Sequence, residues 1–330
     1  MVKDWPTAIA AGWHPVAAEA DVGRKPLACM LLGQRLVLFR DGERIGLLRD
    51  RCPHRGVPLS SGRLVPGGIA CPYHGWRFAA DGACIEVPGS AVCPDVRANA
   101  LPVRIIAGLV WTSLGAVPDP FPVLPDVMDD ARLDRFWWRL APSRAGVLDA
   151  LENHLDPAHP HHVHPWLVRA PNRRRKVTVD VRSGPWGAEA TYVEMGRNGA
   201  LLPAVMEGTR ARSIGRLWPP TIGEVRLESA RGAMLSIAVV FSPVDIGLTR
   251  PFAHFASTRG WLPAWFKQIG LKAFHLPVLA QDRRMLRLQD QSRGDGGYRI
   301  GPLDVLAREI LAHANGEPCP EAHRTMEMFL

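Results

Sequence analysis

Two thiols and two imidazoles are concentrated in CPHRGVPLSSGRLVPGGIACPYHGW, residues 52–76. Cys52 and His54 form C-x-H, sixteen residues follow (55–70), and Cys71 and His74 form C-x-x-H. Thiolate and imidazole donors in two tight pairs suit either a tetrahedral zinc ion or a [2Fe–2S] cluster with mixed ligands. Both need metal. Pro53, Gly56, Pro72 and Gly75 allow close backbone approach, so that amide N–H groups can point at bridging sulfides, which favours the cluster. Cys29, Cys84, Cys93 and Cys319 lack ligand spacing and are expected to be buried apolar fillers.

A second group lies in LDALENHLDPAHPHHVHP, residues 148–165. At 100° per residue Leu148, Leu151 and Leu155 share one helical stripe, while Asp149, Asn153 and Asp156 share another. His159 and His164 follow Asp156 as D-x-x-H-x-x-x-x-H. Two neutral imidazoles and one carboxylate on one side of a metal leave the other side open, which suits non-haem Fe(II). Pro157 is expected to end the helix, and His154, His161 and His162 are competing imidazoles, His162 foremost. The carboxylate is sought in LPVLAQDRRMLRLQDQ, residues 276–291. There Asp282 falls among Val278, Leu279, Met285, Leu286 and Gln289 on a helical wheel, with Arg283, Arg284 and Arg287 pointing elsewhere. An unpaired buried carboxylate costs several kcal/mol, which a metal would offset. Asp290 is the second choice, and a structural Asp282–arginine pair is the alternative.

CPHRGVPLSSG with CPYHGW resembles the Rieske iron–sulfur domain, and Asn153, Asp156, His159 and His164 match the N-x-x-D-x-x-H-x-x-x-x-H pattern of the Rieske non-haem iron oxygenases. The short chain resembles the vanillate O-demethylase type of terminal oxygenase component. The resemblance implies that Cys52 and Cys71 hold one cluster iron and His54 and His74 the other. It further implies that His159, His164 and Asp282 bind mononuclear Fe(II), Gln281-Asp282 with Gln289 being similar to the family's helix. Asp156 would bridge His159 to a cluster histidine, and it is assigned with Asn153 as catalytic. No G-x-G-x-x-G fingerprint, flavin signature or second cysteine cluster is present, so electrons are expected from a separate NAD(P)H-dependent reductase, a ferredoxin, or both. The implied reaction uses O₂ to hydroxylate or oxidatively demethylate an aromatic or related small molecule. Cis-dihydroxylation of a ring is the alternative, and a Rieske electron carrier without oxygenase activity is the alternative of another class. The family further implies a homotrimer in which His74 of one chain meets Asp156 of the next.

These groups need elements to position them. Before about residue 115, runs such as RLVLF and RIGLL flank Asp41-Gly42, and WRFAA and CIEVP flank Asp81-Gly82, which is hairpin chemistry. The proline-rich VPDPFPVLPDV at 117–127 reads as a boundary. The expected division is a Rieske domain at 1–117, a linker at 118–135 and a catalytic domain at 136–330. The expected class is α+β: an antiparallel β Rieske domain, then helices covering a mostly antiparallel sheet. Residues 233–257 read as two strands around VDIG, and with 207–220 they are expected to wall the pocket. Helix is expected around 146–156 and from about 264, and the tail 292–330 suggests only helical packing.

With 47% apolar and 22% charged residues, a chain of 330 residues can bury a sizeable core. Six cysteines are too few for a disulfide scaffold, and MVKDWPTAIA lacks a signal peptide's apolar run, so reduced thiols in the cytoplasm are expected. The longest apolar stretch, AMLSIAVVF, is about half of the roughly 20 residues that a spanning helix needs, so no membrane span is expected. The formal charge of +8 includes one dense run, RRRK at 173–176, which reads as a solvated loop and gives no sign of nucleic-acid binding. The positive charge would suit an acidic ferredoxin.

Overall fold

The computed structural model describes residues 5–115, 120–169, 174–193, 210–229, 232, 234–292 and 299–330. They fall into two compact units. The first is Ala10–Phe121 with Ser242–Ile246; the second comprises the described residues up to Ile9, Pro122–Phe241 and Gly247–Leu330.

After a short helix α1 (Thr7–Ala11), the first unit runs β1 (His14–Ala18), β2 (Leu27–Leu31), β3 (Gln34–Asp41), β4 (Arg44–Arg49), β5 (Arg63–Val65), β6 (Gly68–Ala70), β7 (Arg77–Phe78), β8 (Cys84–Glu86), β9 (Arg104–Ile106) and β10 (Leu109–Thr112). They pair as three sheets, β1-β10-β9, β2-β3-β4 and β5-β6-β7-β8. All the pairings are antiparallel. Strand β3 is central in its sheet and buries Leu36, Val37, Leu38 and Phe39 in succession. Such a continuous apolar run marks a strand covered on both faces. Its hairpin closes at Gly42-Glu43, one residue later than Asp-Gly would place it, because Asp41 still pairs with Arg44 and Gly42 takes φ +59°. Phe39, Leu59, Ile69 and Phe78 form the core, and Cys52 and Cys71 are part of it.

In the second unit, β11 (Leu133–Arg139), β12 (Ser143–Arg144), α2 (Val147–Leu155) and α3 (Pro160–Val163) come first. Strands β13 (Lys176–Gly184), β14 (Gly187–Val193), β15 (Arg210–Trp218), β16 (Ile222–Ser229), β17 (Met234–Asp245) and β18 (Leu248–Thr258) follow, then α4 (Ala264–Gln291), α5 (Ala307–Asn315) and β19 (Ala322–Phe329). The strands make one nine-stranded sheet in the order β11-β18-β17-β16-β15-β14-β13-β19, with β12 also on β18. Helix α2 packs on it, burying Leu151 and Leu155 at about 1.5–3 kcal/mol each. Gly223 of β16 makes that approach possible: a Cβ there would stand 3.0 Å from both Leu151 Cδ1 and His154 Cδ2. Glu224 beside it is 1% exposed, and its carboxylate accepts from Trp218 Nε1 (3.1 Å), Ser236 Oγ (2.8 Å) and the Arg226 guanidinium.

The α+β architecture follows the sequence reading: antiparallel strands, then helices on an antiparallel sheet. Two segments differ from it. Within the span 118–135, Val127 and Met128 are buried and β11 begins at Leu133, so the second half of that stretch is structured. The tail contains a strand as well as a helix: β19 pairs with β13 along the sheet edge from Ala322↔Ser183 to Phe329↔Lys176. Its sequence AHRTMEMF is polar and methionine-rich because an edge strand leaves one flank to solvent.

Candidate metal centres

The first donor set stands on two loops of the same construction. Cys52 N–H donates to Val57 O and Gly56 N–H to Cys52 O, both at 2.8 Å; Cys71 N–H donates to Trp76 O at 2.8 Å and Gly75 N–H to Cys71 O at 3.1 Å. Each loop turns on a left-handed glycine, Gly56 at φ +76° and Gly75 at φ +73°, a region that side chains rarely adopt. Asp50 braces the entry to the first loop by accepting from Ser60 N–H and Ser60 Oγ, both at 2.7 Å.

The loops bury the sulfurs and expose the rings. Cys52 and Cys71 are 2% and 3% exposed, whereas His54 and His74 lie at the surface with ring centroids 4.7 Å apart. Trp76 stacks on His54 at 4.5 Å and 9°. Burial raises the Cys52 pKa and the adjoining Cys71 thiol adds to it, while the backbone N–H groups of His54 and Arg55 lower it by pointing at the sulfur. Paired thiols with amides aimed at one of them, and two facing imidazoles, fit a group that needs thiolate ligands and hydrogen bonds to sulfur. For His54, burial and the neighbouring His74 and Arg55 lower the pKa, which favours the neutral ring that a metal requires.

The second donor set lies wholly in the second unit. Helix α2 ends at Leu155 because Asp156 precedes Pro157 and takes an extended conformation (φ −70°, ψ 120°). The Asp156 carboxylate then accepts from Ala158 N–H (2.7 Å) and His159 N–H (3.2 Å), which fixes the turn into α3. His159 stands at the head of α3, His164 just past its end, and Asp282 on α4. One donor atom from each lies within 4.8 Å of the others.

Hydrogen-bond polarity explains why these atoms converge without bonding. His164 Nδ1–H donates to Gln281 Oε1 at 2.8 Å, which leaves the Nε2 lone pair facing Asp282 Oδ1 at 2.9 Å. Two acceptors at that distance repel unless a cation joins them. Among the described residues both atoms are buried without a hydrogen-bond partner, as is His159 Nδ1, which stands 3.3 Å from Asp156 Oδ2. Burial disfavours charge on His159, but Asp156 and Asp282 outweigh it and hold its pKa up at about 9. Burial likewise opposes ionisation of Asp282, yet His159 and His164, when their rings are protonated, hold its carboxyl well below the usual range. The trio is built for positive charge, and His₂Asp with an open side suits Fe(II).

The trio faces a cavity of about 240 Å³. Sheet residues Val225, Leu227, Ile237, Val239 and Phe241 line one side, and Phe274, Val278 and Leu279 of α4 another. Asn153, His154, Tyr192, Ser213, Arg169 and His275 supply the polar lining.

Every residue expected in the two donor sets is therefore found with its set: Cys52, His54, Cys71 and His74 in one, His159, His164 and Asp282 in the other. Asp156 adjoins His159, and Asn153 lines the cavity. The rivals stand elsewhere. His162 is exposed and contacts Arg174, His154 bonds Ile237 O at 3.2 Å, and Asp290 lies against Gly247. Arg283, expected to point away, lines the cavity while donating to Ala141 O at 2.9 Å. Of the strand expected to wall the pocket, Ser213, Ile214 and Gly215 do so, whereas 207–209 lie outside the described residues. The remaining cysteines depart from expectation: only Cys29 is buried, Cys84 and Cys319 are half-buried, and Cys93 is exposed. The roles of Gln281 and His275 were missed, although His275, Leu279, Asp282 and Leu286 share one face of α4 at i, i+4, i+7 and i+11.

Residues 12–99 match the Rieske [2Fe-2S] domain. The chain is 41% identical over 31% of its length to the 3-chlorobenzoate-3,4-dioxygenase oxygenase subunit of Comamonas testosteroni, covering 26% of that protein. It is 27% identical over 74% of its length to methylxanthine N1-demethylase NdmA of Pseudomonas putida, covering 72% of it. The chain spans less than half the length of the first curated relatives it matches. Among solved structures, dicamba monooxygenase bound to dicamba superposes with a TM-score of 0.80 at 20% identity, over 92% of this chain and 96% of that one. No helix among the described residues is long and apolar enough to cross a membrane. The chain therefore contains a Rieske [2Fe-2S] domain at residues 12–99, is similar over most of its length to a demethylase, and shares the fold of dicamba monooxygenase.

Proposed function

We propose that the protein is the terminal oxygenase component of a Rieske oxygenase system, acting on a small, largely apolar, aromatic or related molecule. The observation that carries this is the convergence of His159, His164 and Asp282 at the wall of an apolar cavity, in a chain that also has a Rieske domain. An electron carrier has no use for such a cavity. The assignment is Cys52, His54, Cys71 and His74 to a [2Fe–2S] cluster, and His159, His164 and Asp282 to mononuclear Fe(II). When bound, the cluster supplies single electrons and the iron an open site for O₂.

The chain's own residues orient and exclude. Gln281 fixes the His164 ring, and Asp156 fixes the backbone of His159 and faces its Nδ1. The sheet and α4 side chains keep water from the reacting end, while Asn153, Ser213 and Tyr192 offer polar handles. Mono-oxygenation, including demethylation, is the favoured outcome, since the relative matched over most of both chains is named a demethylase. A cis-dihydroxylating reading has the dioxygenase oxygenase subunit in its favour, matched over the first part of the chain. Partners are a separate reductase, a ferredoxin, or both, and the assembly is a homotrimer.

The test is metal and sulfide content on anaerobically purified protein, followed by O₂ uptake with a surrogate reductase and a panel of methoxy- and N-methyl aromatics. About three irons and two sulfides per chain, with substrate-dependent O₂ uptake, support the reading. About two irons, with no further uptake of Fe(II), would leave an electron carrier.

A further inference from the structure

Helix α4 has a second face, turned away from the cavity. Trp265, Ile269, Ala273, Leu276, Ala280 and Arg284 recur at intervals of 4, 4, 3, 4 and 4 residues, and all six are exposed. This is an eleven-residue repeat of about 3.67 residues per turn, close enough to the helix's own period of about 3.6 to keep the six on one side. His275, Leu279, Asp282 and Leu286 occupy the other side and line the cavity. Trp265, Ile269 and Leu276 are 63%, 59% and 58% exposed, and Trp261, just before the helix, is 90% exposed. Single apolar side chains at a surface are ordinary, but a continuous line of such large ones marks a contact surface. The stripe is also its own complement. Reversed about the midpoint between Phe274 and His275, it sets Trp265 against Arg284, Ile269 against Ala280 and Ala273 against Leu276. Each large aliphatic side chain meets a small one, and the stripe's cation meets an aromatic ring. Arg284 forms no ion pair among the described residues.

We infer that this face of α4 is an interface between two copies of the chain, paired antiparallel about that midpoint. The contact is isologous: one patch serves both partners, every pair forms twice, and the assembly closes. From Trp265 to Arg284 the seam runs roughly 28 Å at about 1.5 Å per residue. A parallel arrangement would set Arg284 against Arg284, which repels. The antiparallel one brings each guanidinium to an indole, a cation–π contact. Ala273 and Ala280 let the backbones approach, and Leu276 and Ile269 of the other copy fill the space above them. A lipid surface also suits an amphipathic face that bears tryptophan, but it has no use for alanines matched to large side chains and gains nothing from the symmetry. The contact involves neither metal site and is separate from the ring proposed above. A ring of three chains paired through α4 holds six; without the ring the pair holds two.

The test is the number of chains per particle, measured on the holoprotein by sedimentation equilibrium. The expected count is six, or two where the ring itself fails, and Leu276→Glu halves it while iron, sulfide and cluster absorption stay at the wild-type level. Trp265→Lys, which sets a lysine against Arg284, halves it as well. Adding Arg284→Glu to Trp265→Lys restores the full count, because each lysine then faces a glutamate. Damage to the fold would not be rescued in this way. The inference is overturned if the wild type holds three chains or one, or if Leu276→Glu leaves the count unchanged. A fall to one third in Leu276→Glu overturns it too, since the stripe would then line the ring, and so does a double variant that stays split. Flotation of the wild type, but not of Leu276→Glu, with phosphatidylglycerol vesicles would overturn it in favour of a lipid surface.

Discussion

His164 and Gln281 meet through Nδ1 and Oε1 at 2.8 Å, and that single bond decides which ring nitrogen is left to face Asp282. Gln281 is next to Asp282 in sequence, so one turn of α4 supplies both a carboxylate and the group that aims its neighbour. Replacing Gln281 by Leu keeps the side chain's bulk but removes the acceptor. Fe(II) affinity is expected to fall about 10–100-fold, the usual effect of losing a group that orients a metal-bound histidine. Cluster absorption is the internal control; unchanged Fe(II) affinity would remove Gln281 from this role.

His159→Ala and Asp282→Ala should each lower iron from about three to about two per chain while acid-labile sulfide stays at about two. The two donor sets belong to separate units with separate cores, so the cluster's colour should persist. Loss of colour in either variant would contradict that independence.

Metal uptake should depend on pH in a stated direction. The metal-free His159 pKa is held up at about 9, so below that value Fe(II) must displace a proton. Affinity measured anaerobically is therefore expected to climb by up to about tenfold per unit between about pH 6.5 and about pH 9. Stability of the metal-free protein runs the other way. A histidine whose folded pKa is raised contributes fully below its ordinary value and loses that contribution as pH rises through the folded value. Urea midpoints of metal-free protein should fall over the same window, and a flat profile would refute the charge coupling.

Asp156 has two functions that substitution separates. Asn retains an oxygen for the Ala158 N–H and puts its amide nitrogen in place of the oxygen that faces the His159 N–H and Nδ1, so fold and metal content should survive, while the charge facing His159 Nδ1 is lost and turnover with it. Ala removes the anchor too, with an added stability loss of about 1 kcal/mol. Wild-type turnover in Asp156→Asn would show that the charge is dispensable.

Glu224 tests the sheet below the cavity. Its buried carboxylate satisfies Trp218, Ser236 and Arg226, so Glu224→Ala leaves several donors unpaired and should cost about 3–5 kcal/mol. A loss below about 1 kcal/mol in chemical denaturation would mean that water replaces the carboxylate freely.

Much of the site was legible because its chemistry is written in short spacings. Cys52 with His54, and Cys71 with His74, are local pairs whose glycine and proline neighbours specify the loops that present them. The end of α2 was legible too, since Pro157 restricts Asp156 whatever the rest of the chain does. Asp282 could be singled out because a carboxylate on an apolar helical face needs compensation. Only the tertiary structure decided the rest. That Asp282 meets His159 and His164 across more than a hundred residues depends on how α4 crosses the sheet, which no local rule encodes. Arg283 reaches the cavity because Ala141 O, remote in sequence, takes its guanidinium. The polar strand β19 exists because β13 offers an unpaired edge. Local sequence determined which groups could bind metal and what loops hold them; long-range packing decided which of them meet, because contact between distant segments is set by the summed fit of many side chains rather than by any one motif.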